Sequence, residues 1–180
     1  MRDDPVLAYN FRVNLLDSSP SPAAAVGSIV LSPLVANPLA GFNECSGLEM
    51  TLETEDYPEG GHNGTVLRFP KRSKWNEITL RKGLTRRTEL FDWFYGFTQG
   101  IVKRKDGLII LMNERHEPHT VWKFRRGLPV KYVAPQLNAQ HNAVAIEALT
   151  IAHEGITLMP GASGLASAVR GAANAIADLF

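Results

Sequence analysis

The stretch EDYPEGGHNGTVLRFPKRSKW, residues 55–75, decides how the chain is organised. It places a proline, a Gly-Gly pair and an Asn-Gly pair between two segments that have the composition of strands. Gly60, Gly61 and Gly64 are suited to the unusual backbone conformations that a long hairpin tip or a bulge needs. The sequence therefore predicts a long β-hairpin arm at about 55–75.

Stretches that alternate apolar and polar residues lie on both sides of this arm. Near the start, Phe11, Val13 and Leu15 alternate with polar neighbours. A period of two is typical of β-strands with one buried face. On similar grounds further strands are predicted at 48–53, 65–72, 76–83, 107–115, 119–127 and 143–155, with the turn HEP joining two of them.

One clear helix is predicted at about 88–99, with Thr88 as its N-cap and Gly100 just past its end. Apolar residues at spacings of three and four predict its core-facing side, made by Leu90, Phe91, Phe94, Tyr95 and Phe97. Strands precede and follow this single helix without βαβ alternation. The sequence therefore predicts a mainly β (α+β) fold, an antiparallel β-barrel or sandwich with one packed helix.

Composition excludes several classes of protein. Nineteen basic and eighteen acidic side chains give a net charge of +1, whereas a dedicated nucleic-acid binder normally shows a clear basic excess. Cys45 is the single cysteine, so no disulfide can form within the chain. The N-terminus has no apolar segment typical of a signal peptide, and no apolar run is long enough to span a membrane. We expect synthesis in the cytoplasm and no membrane anchor.

Two segments are additions to a single domain at 1–159. Residues 18–40 form an uncharged insertion rich in proline and alanine, either a plain surface insertion or a segment that docks onto a neighbouring copy. The C-terminal extension 160–180 predicts a weak helix that needs something to pack against. Its apolar stripe would consist of Leu165, Val169, Ala172, Ile176 and Leu179.

Residue types that carry chemistry do not form a committed site. The glycine-rich run of the arm leads into a strand and lacks the Gly-Lys-Ser/Thr of a phosphate loop. His116 and His119 are two imidazoles in a turn, whereas a zinc site needs three or four ligands. Cys45 on a strand is typical of a small buried apolar residue. The sequence therefore predicts no enzyme, no metal and no cofactor.

Acidic and basic residues on the strands are more typical of solvated strand faces than of sites. Glu49, Glu53 and Glu55 have the spacing of a polar strand face, which a catalytic carboxylate pair would share. Basic clusters near aromatic residues could hold a single nucleic-acid strand. They lie at 71–74, 81–82, 86–87, 103–105 and 125–126.

Several segments in a fixed order carry a family resemblance. They are YNFRVNLLD, GFNECSGLEM, the arm with its lead-out EDYPEGGHNGTVLRFPKRSKWNEITLRKGLT, TELFDWF, and VWKFRRGLPVKYVAPQLNAQHNAVAIEALTIAHEGITL. This set resembles the T4-like tail tube protein family, which contractile phage tails share with phage-derived contractile injection systems. The resemblance covers about residues 8–159, is interrupted at 18–40, and does not include the extension.

The resemblance implies a tube-protein (Hcp-like) sandwich and a structural role. Six copies would form a ring, and stacked rings would make a hollow inner tube inside a contractile sheath. The implied partners are sister copies, sheath protein, baseplate or hub proteins and tube-terminator proteins, with cargo protein or phage DNA in the lumen and no sequence-specific nucleic acid. The subunit would be assembled into a phage tail or injection particle.

The arm is then predicted to contact another subunit or the next ring. The candidate contact residues are Tyr57, Glu59, Gly60, Gly61, His62, Asn63 and Gly64. Two alternatives stay open at this point. One is a tube-initiator or baseplate ring protein of the same apparatus, and the other is a monomeric small β-barrel that binds an apolar ligand.

Overall fold

The computed structural model describes residues 6–18, 41–58, 60, 64–116, 118–140 and 142–160. These residues form nine β-strands and one helix in the order β1–β5, α1, β6–β9. The strands are β1 (Phe11–Asp17), β2 (Phe42–Ser46), β3 (Met50–Pro58), β4 (Val66–Trp75), β5 (Ile78–Gly83), β6 (Lys105–Met112), β7 (Pro118–Val133), β8 (Ile146–Ala152) and β9 (Ile156–Pro160), and the helix is α1 (Glu89–Thr98).

Seven strands form a folded, antiparallel, sandwich-like structure. One layer, the first sheet, contains β1, β6, the first part of β7, and β9. The other layer, the second sheet, contains β2, β5, β8 and the last part of β7. β7 runs through both, and the ladder with β6 shifts register between Lys105 and Gly107, where Arg126 has a φ of 51°. Bulges of this kind let one strand pass from one sheet to the other.

The core lies between the two sheets. Val13, Ile109 and Phe124 come from the first sheet, and the second contributes Leu80 and Leu149. Phe11 and Leu15 pack against this cluster, so the alternation of β1 predicted from the sequence is confirmed.

Gly107 leaves room for the Phe124 ring beside it, because a Cβ at Gly107 would lie 2.1 Å from that ring.

Helix α1 packs on this core through a narrower stripe than the sequence predicts. Leu90 and Trp93 are buried, and the Trp93 Nε1–H donates to the Lys103 carbonyl at 2.8 Å. Phe91 and Tyr95, predicted for the core face, are instead 42% and 47% exposed and stack on each other. The reason is the angular position of each residue on the helix. Leu90, Trp93, Phe94 and Phe97 follow the spacing i, i+3, i+4, i+7, whereas the other two residues lie about 100–150° from the centre of this stripe.

A buried ion pair lies among the apolar residues of the second sheet. Lys82 Nζ is 3.3 Å from Glu147 Oε1, and both side chains are almost fully excluded from solvent. The Tyr132 hydroxyl donates to Glu147 Oε2 at 2.8 Å. Burial, first, and then the contacts with Glu147 raise the pKa of Tyr132 to about 12. The sequence assigned Lys82 to a basic surface cluster, and its burial corrects that assignment.

The predicted mainly β fold with one packed helix is confirmed, and it takes the sandwich form. Within the described ranges the sheets do not close into a barrel. The main difference is β7, which continues to Val133 through Pro129, well past the predicted end at 127. Proline lacks the N–H that a ladder uses, and the β7–β8 register does shift between Pro129 and Lys131.

Candidate functional site

The hairpin predicted from the sequence is a separate two-stranded sheet formed by β3 and β4. It starts at Met50 rather than at residue 55, and its ladder runs from Met50↔Trp75 at the root to Pro58↔Val66 near the tip. At about 3.3 Å per residue, the nine residues of β3 extend about 30 Å. This hairpin, Met50–Trp75, is called the arm below.

Every described residue of the two arm strands is exposed to solvent. Large apolar side chains are among them, including Tyr57 at 58% and Phe69 at 52% exposure. An isolated two-stranded hairpin is marginally stable in water, and exposed apolar groups in one region mark an interaction surface. The arm therefore has the properties of a contact element, since the described chain supplies no core for it.

Both faces of the arm carry apolar groups. Tyr57 and Leu67 stand opposite each other on one face, beside Phe69, whose ring meets Tyr57 edge to face at 6.3 Å. The other face carries a second apolar set, Met50, Leu52, Val66 and Trp75. A hairpin that presents apolar side chains on two sides can contact two surfaces at once.

Charges on the arm are neutralised across the ladder. Strand β3 is acidic and β4 basic, and they form the cross-strand pairs Asp56–Arg68, Glu55–Lys71 and Glu53–Lys74. Exposed pairs of this kind contribute about 0–1 kcal/mol each, so they help set register more than they stabilise the fold. Arg68, Lys71 and Lys74 are therefore engaged by carboxylates of the same hairpin.

The arm is fixed to the sandwich at its root. Gly47, between β2 and β3, has a φ of 88°, and a Cβ there would lie 2.0 Å from the Glu77 carbonyl oxygen. The Asn76 N–H donates to the Glu49 carbonyl at 3.2 Å, and the Asn76 side chain donates to the Glu49 carboxylate. Only glycine fits this close backbone approach, so Gly47 helps set the direction in which the arm leaves.

His153 connects the arm root to the turn between β8 and β9. Its Nε2 lies 3.0 Å from the Asn76 carbonyl, and the Gly155 N–H donates to Nδ1 at 3.1 Å. A carbonyl only accepts, so Nε2 carries the proton and the ring is neutral in this arrangement. Burial lowers the pKa of His153, and the rings of Trp75 and Phe124 flank it.

Three of the predicted contact residues, Tyr57, Gly60 and Gly64, are described, and Tyr57 pairs with Leu67 near the far end of the arm. Tyr57 is exposed there, and nothing approaches the Cβ positions of Gly60 and Gly64 within 4 Å. The unusual backbone conformation predicted for Gly60, Gly61 and Gly64 stays a prediction, because residues next to them lie outside the described ranges. The remaining candidates, Glu59, Gly61, His62 and Asn63, lie outside the described residues.

The residues considered above as a nucleophile or as metal ligands lie in the following environments. Cys45 is half-buried, and burial followed by the Glu44 charge raises the pKa of its thiol to about 11. His116 lies 3.1 Å from the Asn10 amide, and His119 lies 2.9 Å from the Thr120 hydroxyl. In the described part of the chain, no three His, Cys, Asp or Glu side chains are placed to hold a metal ion.

No helix among the described residues has the length and apolarity needed to cross a membrane.

Strands at the edges of the sandwich matter for assembly. Within the described ladders, β1 pairs only with β6, β2 only with β5 and β9 only with β7. Each therefore has an edge that no described strand covers, and the backbone groups of such an edge can pair with another chain.

Comparison with protein families identifies the architecture. The model of the T4-like virus tail tube protein gp19 family matches residues 7–157. The chain belongs to this tail tube family. The insertion at 18–40 falls inside the matched region, and the extension after 160 falls beyond it. No curated protein sequence gives a significant match.

Solved structures of contractile particles contain similar chains. One from the PVC extracellular contractile injection system, in its sheath–tube complex, is 26% identical with a TM-score of 0.69, covering 88% of this chain and 93% of that one. One from the anti-feeding prophage baseplate is 24% identical with a TM-score of 0.73, covering 88% and 98%. A PVC sheath/tube-terminator chain is 26% identical with a TM-score of 0.68, covering 87% and 98%.

Proposed function

We propose that this tail tube protein is a structural subunit of the inner tube of a contractile injection system or contractile phage tail. Six copies form a ring, and rings stack into a hollow tube. The observation that carries the proposal is the arm, a hairpin of about 30 Å that has no core of its own and exposes apolar side chains on both faces. Such an element gains its burial from sister subunits.

Sister subunits would also supply partners for the unpaired backbone groups at the sheet edges. Strands β1 and β2 each have one edge that is unpaired in the described chain. Pairing of edges around a closed ring satisfies these groups and removes open margins that would otherwise promote disordered aggregation. The arm then contacts the neighbouring subunit or the next ring, and we expect the candidate stacking residues 57–64 to meet that neighbour.

The role we propose is mechanical rather than catalytic. The ring would be surrounded by sheath protein and would be continuous with baseplate and terminator proteins, in line with the complexes from which the similar chains come. The lumen would pass cargo protein or phage DNA without reading its sequence. The subunit would be made in the cytoplasm and function in the assembled particle.

Electron microscopy of the purified protein tests this proposal. We expect hollow rings or tubes in negative stain, with six-fold symmetry in end-on class averages, and a mass by light scattering that is a multiple of six subunits. A species that stays monomeric at high concentration, with no hollow particle alone or together with baseplate proteins, would contradict the proposal.

A second candidate is a specialised ring at one end of the tube. It is favoured by similarity to a terminator chain and to a baseplate chain, together with the additions at 18–40 and 160–180. The same images separate the two functions. A main tube subunit forms long tubes by itself, whereas an end-ring protein stops at single or paired rings.

A further inference from the structure

The first sheet is buried on both of its faces. One face looks into the core, and the opposite one carries a second cluster of buried residues, Leu108, Ile110, Met112 and Val121. The β1–β6 register shows the division, because Val13↔Ile109 faces the core while Asn14↔Leu108 faces the other way. This second surface is called the outer face of the first sheet below.

The burial on this outer face is nearly complete. Val121 is 0% and Leu108 1% exposed, values equal to those of the core between the sheets. Leu16 and Met159 are the described apolar residues that pack against the cluster. Both lie on the same sheet face, where Met159 pairs with Val121. They stand beside the cluster and do not cover it.

The second sheet provides an internal comparison. Its outer face carries Thr79 and Thr150, which are only half-buried, and Arg81 and Lys131, which are exposed. An uncovered sheet face in this molecule therefore keeps its side chains in contact with solvent. Complete burial on the outer face of the first sheet implies a further layer of chain, which the described apolar residues beside the cluster do not supply.

Two long segments could supply that layer, and their points of attachment differ. Residues 19–40 connect Ser18, at the end of β1, with Gly41, next to β2 in the other sheet. Residues 161–180 continue directly from β9, whose Met159 is already part of the outer face. The extension also has apolar residues at a helical spacing, Leu165, Val169, Ala172, Ile176 and Leu179.

We propose that the C-terminal segment 161–180 packs its apolar stripe on the outer face of the first sheet of its own subunit. The stripe matches a flat apolar patch about three to four strands wide, or about 15 Å at the usual strand separation. The segment lies beyond the family match at 7–157. This chain therefore covers with its own extension a face that a chain ending at residue 160 would leave available to another protein.

Site-specific photocrosslinking tests the placement. Lys123 lies on the outer face, opposite Leu108 and Thr157 in the ladders, and it is only half-buried. A Lys123→p-benzoylphenylalanine variant should crosslink to peptides from 161–180. The same group at Lys131, which is exposed on the second sheet, should not. Mixing isotopically light and heavy subunits distinguishes crosslinks within one subunit from crosslinks between subunits. Crosslinks within one chain support the proposal, and mixed light–heavy crosslinks contradict it.

Substitutions in the stripe provide an independent readout. Leu165→Glu with Ile176→Glu should abolish the Lys123-site crosslinks and raise binding of the dye ANS at least twofold, because the apolar face becomes accessible. A matched control, Ser167→Glu with Asn174→Glu, adds equal charge on the opposite side of the spacing and should change neither quantity. Crosslinks that map to 19–40, or equal effects of the two double variants, would overturn the proposal. Both results are independent of ring or tube formation.

Discussion

The arm and the sandwich are both built from antiparallel β-strands, but their side chains differ in exposure to solvent. In the sandwich, strands bury Phe124, Leu80 and even the Lys82–Glu147 ion pair. In the arm, every described strand residue is exposed, and the charge pairs lie at the surface. The sandwich is therefore stable by burial within one chain, whereas the arm requires burial against another molecule. Substitutions in the two regions should separate folding from assembly.

The largest effect on folding is expected at the buried ion pair. Lys82→Met leaves the Glu147 carboxylate buried without its cation and should lower the free energy of unfolding by about 3–5 kcal/mol. Adding Glu147→Leu removes the stranded charge, so the double variant should recover most of that loss. Urea denaturation of the subunit measures both.

The neighbouring residue offers a matched control for this experiment. Arg81 pairs with Glu44 at 3.2 Å on the exposed face of the same strand. Arg81→Met should cost at most about 1 kcal/mol, because an exposed pair contributes little. Similar losses from Lys82→Met and Arg81→Met would show that burial of the first pair has no special energetic role.

The next effect is expected at the arm root. Gly47→Ala combines a positive φ with a Cβ that meets the Glu77 carbonyl, so the root must shift. We expect a loss of at least about 2 kcal/mol in subunit stability. Gly83→Ala, on β5, meets only the Val144 side chain at 3.7 Å and has no positive φ, and it serves as the control. If thermal unfolding of the two variants coincides, the root is not constrained as described.

A smaller effect is expected from the protonation of His153. Burial lowers its pKa in the folded subunit, so the neutral ring is favoured by folding. The resulting stability is fully present above the ordinary histidine pKa of about 6.5 and is lost as pH falls from there through the folded pKa. Protonation would also place a proton on Nδ1, which now accepts from Gly155.

The measurement is the free energy of unfolding of the native chain and of His153→Gln at pH 8 and pH 5. Carboxylates near the ring are the same in both proteins. Glu154 pairs with Arg104 and Arg126, and Glu49 contacts Asn76; both are present in the two proteins, so the difference between the proteins reports on His153. The native chain should lose more stability than the variant on acidification, and parallel losses would refute the role of His153.

The sequence predicted the fold well because local patterns determined it. The alternation of β1, the single helix with Gly100 after its end, and the two paired strands of the arm all follow from short-range rules, and the structure agrees with them. The exposure of Phe91 and Tyr95 shows the limit of such rules. Periodicity gives the width of an apolar stripe but does not say which residues the neighbouring sheet has room to bury.

Long-range features of the site could not be predicted in the same way. The root depends on Gly47 meeting Glu77 and on His153 meeting Asn76, which is 77 residues away in the chain. Only the fold brings such pairs together, and a lone glycine or histidine gives no distinctive signal. Lys82 was missed for the same reason, since its partner Glu147 lies on a strand distant in sequence.

The smallest expected effect on folding, and the largest on assembly, comes from the apolar side chains of the arm. Leu52→Ser with Phe69→Ser removes one exposed apolar group from each face. We expect the free energy of unfolding to change by no more than about 0.5 kcal/mol per site. The control replaces two exposed apolar residues outside the arm, Val102→Ser with Leu137→Ser. It shows whether the removal of any two exposed apolar side chains reduces assembly.

Pelleting and negative-stain counting of these variants, with urea denaturation on the same samples, give the most direct measurement. We expect the arm variant to form at least tenfold fewer rings and tubes than the control while its subunits remain as stable as the native ones. Undiminished assembly by the arm variant, or a loss of subunit stability that matches the loss of assembly, would contradict the assignment of the arm as a contact between subunits.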